Sequence, residues 1–251
     1  MEVHHHPDLQ HKKKNFKEYF LEFLMIFLAV TLGFFAESIR ENISNRHKES
    51  KYMESLVSDL KSDTTETDVA VKRWKGYNAN LDSLLFLLKK DMNQQNINGL
   101  YALLSTEFFH FNLFKYNDKT IEELKSSGDF RLIKKESIAN EIMSYDLDMK
   151  YILIQEQDVK DLMITSKNIE SKVFDYSQLN FKDNVAFRFI HENKPLTLIT
   201  HDQQIIDEYF NKLWIFYDLA KGHERLFENE KASAISLLKN IQHEYKFKTE
   251  Q

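Results

Sequence analysis

Fourteen consecutive residues without a charge, 23–36, constrain this chain more than any other feature. They sit inside YFLEFLMIFLAVTLGFFA, residues 19–36, where Glu22 is the one charge. At a rise of 1.5 Å per residue an α-helix of this length covers about 27 Å, close to the hydrocarbon thickness of a bilayer. A helix apolar on every face has no side to offer water, so the run predicts a transmembrane helix over 19–38. Lys12, Lys13, Lys14 and Lys17 precede it, and Phe16, Tyr19 and Phe20 fall at headgroup level.

The competing reading is a cleaved signal peptide, with Ala36 and Ser38 spaced for cleavage after Ser38. Against it, the preceding segment is long and carries Glu2, Asp8 and Glu18, and no Gly or Pro separates the run from the helical pattern that follows. An uncleaved anchor is the expectation. Arg40, Arg46, Lys48 and Lys51 balance the four lysines before the span, so charge counting alone ties. The tight lysine cluster favours a cytoplasmic N-terminus with the C-terminal domain on the far side of the membrane. On the span itself, Glu22, Ala29, Gly33 and Ala36 fall within about 40° of one line at 100° per residue. Ala29 and Gly33 have the small-xxx-small spacing that lets helix backbones approach closely in lipid, so this face is a candidate helix–helix contact and a route to a homo-oligomer.

Five Gly and two Pro in 251 residues leave few turns and favour long helices. The polar stretch ESIRENISNRHKESK reads as a solvated helical stalk, and helical spacing resumes through Val69, Trp74, Leu81 and Leu88 before NQQNIN at 93–98 interrupts it. TIEELKSSG predicts a short helix with a capping box of Thr120 and Glu123 and a stop at Gly128. A long periodic stretch over 137–175 includes Ile142, Met143, Tyr151, Ile154 and Val159; DYSQLNFKDN has turn chemistry, and PLTLIT reads as a short extended piece. Asp202 caps a last long helix. The fold class is all-α: an N-terminal transmembrane helix continuing into a long-helix antiparallel bundle, with short helices at one end. The expected divisions are a polar tail at 1–18, the span at 19–38, a stalk at 39–62 and the bundle at 63–251.

Absence of Cys excludes disulfides and thiolate chemistry, and 34 basic against 39 acidic residues, mixed along the chain, present no face for duplex nucleic acid. His4, His5, His6 and His11, with Asp8, are the weak candidates for a metal, since nothing in a short polar tail fixes their geometry. Glu107-x-x-His110 has the ligand spacing of di-iron bundles but lacks the second such pair those sites need. No phosphate loop, HExxH or G-x-S-x-G occurs. His191, His201 and His223 read as surface or satisfied core groups, and Trp74 and Trp214 as core. No cofactor and no catalytic set is expected.

Two stretches carry a resemblance. MEVHHHPDLQHKKKNFKEYFLEFLMIFLAVTLGFFAESIRE and TIEELKSSGDFRLIKKESIANEIMSYD together resemble an uncharacterised domain-of-unknown-function family of single-pass Gram-negative bacterial membrane proteins, with a His-rich start, one span and a Leu-Lys-Ser-Ser-Gly turn. The resemblance implies a native His cluster, an inner-membrane anchor and a helical domain, and no activity. The expected function is a membrane-anchored interaction or scaffold protein, with the lipid bilayer and an unknown protein as partners. The alternative is an extracytoplasmic sensory or small-ligand-binding bundle acting through a partner.

Overall fold

The computed structural model describes residues 15–104, 114–181, 189–191 and 195–246. Five α-helices carry the fold: α1 (Phe16–Leu88), α2 (Gln94–Leu104), α3 (Lys119–Ser127), α4 (Glu136–Val173) and α5 (Gln203–Tyr245). The one regular extended feature among the described residues is a two-stranded antiparallel ribbon, β1 (Leu179–Phe181) with β2 (Phe189–His191), in which Asn180 pairs with Ile190. Phe174 makes a single antiparallel bridge to Leu198, so the expected extended piece at 195–200 is present at that point. The class is all-α.

The chain divides into two compact units, Met1–Lys51 and Tyr52–Gln251. In the first, the described residues belong to the N-terminal part of α1, and their apolar side chains are exposed: Ile26 and Leu32 are each 66% accessible. The hydroxyl of Thr31 donates to the carbonyl of Phe27 at 2.7 Å, which satisfies the one hydroxyl in the apolar run within the helix itself.

In the second unit, cross-helix contacts fix the directions. Lys75 pairs with Glu228 at 2.6 Å and Lys231 with Asp68 at 2.5 Å, so residues 52–88 of α1 run antiparallel to α5. Lys135 pairs with Glu244 at 2.7 Å, and the Tyr209 hydroxyl donates to Glu170 at 2.9 Å, so α4 and α5 are antiparallel too. The Tyr145 hydroxyl donates to Asp63 at 3.0 Å between the two parallel members, α4 and α1. The core begins at Met53, Leu56 and Leu60, inside the stretch expected to be stalk.

The buried positions repeat at 3.5 residues. On α5 they step three and four alternately between positions 206 and 241, through Tyr209, Leu213, Phe216 and Ala220. The same alternation runs along α4 from Ile138 through Ile142, Tyr145, Met149 and Ile152. This heptad spacing is that of helices packed side by side at shallow angles with knobs in holes. Polar residues interrupt each seam: Asp63, Thr67 and Asn78 on α1, Glu156 and Glu170 on α4, His223 and Glu230 on α5, all buried.

Helix ends follow local chemistry. Asp202 caps α5, accepting the Gln204 N–H at 2.9 Å. Gly128 ends α3 at φ 73°, a left-handed conformation that disfavours a side chain, with its N–H on the Lys125 carbonyl. The Thr120–Glu123 capping box does not form. The cap position of α3 is Asp118, and Thr120 instead turns inward, its hydroxyl and N–H both donating to Asp59 of α1. The interruption after Leu88 falls at residues 89–93, and the rest of NQQNIN already belongs to α2: Asn93 accepts the Asn96 N–H at 2.9 Å just before that helix. Trp214 is not core. It is 49% exposed, one position beyond buried Leu213, because the strict heptad turns it off the seam, whereas Trp74 falls on the seam and is 4% exposed. Met143, Tyr151 and Ile154 likewise face outward on α4.

Candidate functional site

Glu22, Ala29, Gly33 and Ala36 all lie on α1 and are all exposed. A Cβ added at Gly33 would meet nothing within 4 Å, so this face is sterically open within the single chain. α1 is the one described helix long and apolar enough to cross a membrane, with a mean hydropathy of 2.1 over its most apolar window, and none of that window is buried. His4, His5, His6, His11, Glu107 and His110 lie outside the described residues. Among the described residues no group of three or more His, Asp or Glu converges to hold a metal ion.

Several ionisable groups lie in the bundle interior, and three carboxylates among them are met by fixed donors. Glu170 accepts hydrogen bonds from the hydroxyls of Tyr209 and Tyr176. Burial raises its pKa even so. Glu156 accepts the Phe114 N–H at 3.1 Å, tying the segment before α3 to α4. Asp63 accepts from the Asn117 N–H at 2.9 Å and from Tyr145, and burial nonetheless pushes it up to about 6. These contacts join α1, α3 and α4 in one register.

His223 is a core group but not a satisfied one. It is fully buried between the edges of Trp74 and Phe227, with ring centroids 4.9 Å away on both sides. Its Nδ1 lies 2.9 Å from Gln155 Oε1, while its Nε2 has no hydrogen-bond partner. Burial lowers its pKa to about 4, so the ring is neutral at pH 7.

Two concave features stand out among the described residues: one of 590 Å³ where the end of α1 meets the start of α5, and a smaller groove of 290 Å³ between α4 and α5. Each helix lines it with a residue pattern of i, i+3, i+4, i+7, beginning at Glu141 on α4 and Ser233 on α5. Ser144, Ser233 and Ser236 occupy places where a larger side chain would close the seam, and the space is the result. Asp148 stands at the other end of the α4 row, seven residues from Glu141. Glu230 lies behind this wall. It is 5% exposed, its Oε1 has no hydrogen-bond partner, and burial together with the Asp148 charge pushes it up to about 8.

Sequence reading missed these residues. A signal was there: Glu230 stands in heptad step with Phe227, Ala234 and Leu237, a carboxylate at a core position. The serines gave none, since exposed helix faces commonly carry Ser.

Fold and site define a helical bundle with heptad-spaced polar layers, on a chain whose first helix also carries an exposed apolar run in its N-terminal part. No protein-family model, curated protein or solved structure matches this chain.

Proposed function

We propose that this chain is a membrane-anchored helical interaction protein without a catalytic role. The observation that carries the reading is the run at 19–36: uncharged throughout 23–36, and with none of its most apolar window buried. Transfer of such a surface out of water is strongly favourable, at roughly 25 cal/mol per Å² of apolar area, and a bilayer is the simplest environment that covers every face. The lysines before the run support a cytoplasmic N-terminus with the bundle across the membrane, and the resemblance of two sequence stretches to single-pass Gram-negative membrane proteins implies an inner-membrane anchor and hence a periplasmic bundle. The outward apolar row of Met143, Leu147 and Ile154 on α4, each more than half exposed, supports an interaction role for the bundle.

The test is retention. The full chain should pellet with membranes after an alkaline carbonate wash, and its N-terminus should precede residue 19 by mass spectrometry. A mature chain beginning at Ile39, or full release by carbonate, overturns the reading.

A second reading, ligand binding by the bundle through a partner protein, is favoured by one observation: the open, serine-lined groove between α4 and α5.

A further inference from the structure

The outward face of α4 carries a row of its own. Met143, Leu147 and Tyr151 stand four residues apart with Ile154 beside them, each more than half exposed and Leu147 at 68%. Side chains spaced i, i+4, i+8 form a ridge inclined to the helix axis, and this one lies on the side away from the seam of Ile142, Tyr145, Met149 and Ile152. At these exposures no described part of the chain covers it.

The ridge is built as a contact surface. Exposed polar residues bound it, Asn140 before it and Asp158 and Asp161 after it, which gives an apolar centre with a polar rim. The one charge within it is Lys150, and that charge is met inside the chain, by Glu122 at 2.7 Å and Asp146 at 3.2 Å. A partner therefore meets hydrocarbon and an aromatic ring, with no unpaired charge to desolvate.

Area and geometry choose the partner. The four side chains leave on the order of 500 Å² open, near the largest apolar patch found on ordinary monomers. Two copies meeting on this face cover about 1,000 Å² in total, the lower threshold of a specific interface. A ridge of fourth residues is also its own complement: packed into the groove beside the same ridge of a second helix, it gives the crossing near 50° that is commonest between helices. A two-fold axis near Leu147 then uses one patch twice, as closed dimers do. Asp158 and Asp161 lie about three turns and more along the helix, where axes crossing at that angle have parted, so these acids do not confront their own copies.

We propose that the bundle pairs with a second copy of this chain through Met143, Leu147, Tyr151 and Ile154 of α4, ridge against ridge. The proposal rests on the interaction reading of the bundle and deepens it by naming the partner; it is independent of membrane attachment and of any contact made by the span.

The chain has no Cys, so a single introduced thiol reports one position. The experiment is mild oxidation of the full chain in an uncharged detergent, comparing Leu147→Cys with Ile164→Cys. Both positions are exposed on α4, and they lie about 25 Å apart along its axis. Leu147→Cys should form a covalent dimer faster than Ile164→Cys by roughly tenfold, because a disulfide needs its two Cα atoms within about 7 Å. Tyr151→Cys should crosslink as well, and adding Leu147→Asp should slow it by about tenfold, the loss expected when a charge enters an apolar contact. Circular dichroism melts establish that each variant is folded. Gly33→Ile should leave the Leu147→Cys dimer in place. Equal rates at Leu147→Cys and Ile164→Cys would mean random collision, an undiminished rate with Leu147→Asp would place the contact elsewhere, and loss of the dimer in Gly33→Ile would mean association through the span; each overturns the proposal. A larger adduct in native membranes, with no dimer of the purified chain, would mean that a different protein covers the face: the second copy falls and the interaction reading stands. If neither adduct forms, both fall, while the carbonate wash reports separately on the anchor.

Discussion

Two of the buried polar residues of α5, Glu230 and His223, couple their protonation to folding with opposite signs. Glu230 rises from 4.5 to about 8 on folding, so between those values the folded chain holds a proton that the unfolded chain has lost. Its contribution is therefore fully present below pH 4.5 and is lost as pH rises through about 8. Glu230→Gln should flatten that slope and leave the variant more stable than the parent at pH 8.5, by on the order of 2 kcal/mol in urea unfolding. An unchanged slope would show that the carboxyl finds a donor in solution. His223 behaves in the reverse sense. Its pKa falls from 6.5 to about 4, so its contribution is present above pH 6.5 and is lost as pH drops through about 4. His223→Phe should remove stability lost between pH 6.5 and 4 while costing some stability at pH 7, because Gln155 Oε1 then faces no donor. Equal acid sensitivity in parent and variant would place the acid transition elsewhere.

At the scale of elements, the ends of helices and the face of the span make the sharper tests. Gly128 closes α3 at φ 73°, where a Cβ is disfavoured whatever the space around it, and nothing lies within 4 Å of where that Cβ would be. Gly128→Ala should therefore destabilise the bundle through backbone strain alone, by about 1 kcal/mol. A neutral result would mean that α3 ends differently in solution. On the span, the open surroundings of Gly33 separate two explanations that usually mix. A Cβ there meets no atom of its own chain, so an effect of Gly33→Ile that Leu32→Ile does not share reports on another helix. Crosslinking in membranes should fall for Gly33→Ile and hold for Leu32→Ile, about 100° round the helix, since each small-residue contact is worth on the order of 1 kcal/mol. Equal crosslinking in both would leave the stripe without a partner of its own kind.

For the whole molecule, the anchor proposed at 19–36 makes the side of the membrane on which the bundle lies a testable property. The lysine cluster before the span predicts that a phosphatase fused after Gln251 is active, and that a fluorescent protein that folds only in the cytoplasm stays dark there. The opposite pair of signals would reverse the location and leave the bundle untouched, because α1, α4 and α5 are joined by their own ion pairs and heptad seams.

The sequence by itself determined the features that depend on near neighbours along the chain. The run at 19–36 is helical and exposed, long helices match the scarcity of Gly and Pro, and the Asp202 cap and the Gly128 stop form as read, each from chemistry within a few residues. What the sequence left open is what depends on two helices meeting. Trp214 and Trp74 sit in similar apolar surroundings along the chain, yet one is half exposed and the other core, because the packing repeat is 3.5 residues and only a partner helix sets its phase. Thr120 looked like a cap until Asp59, 61 residues earlier, took its hydroxyl. The groove belongs to the same class of fact. Ser144, Ser233 and Ser236 are ordinary surface residues on their own helices, and they become a wall only when the antiparallel register of α4 and α5 sets them face to face.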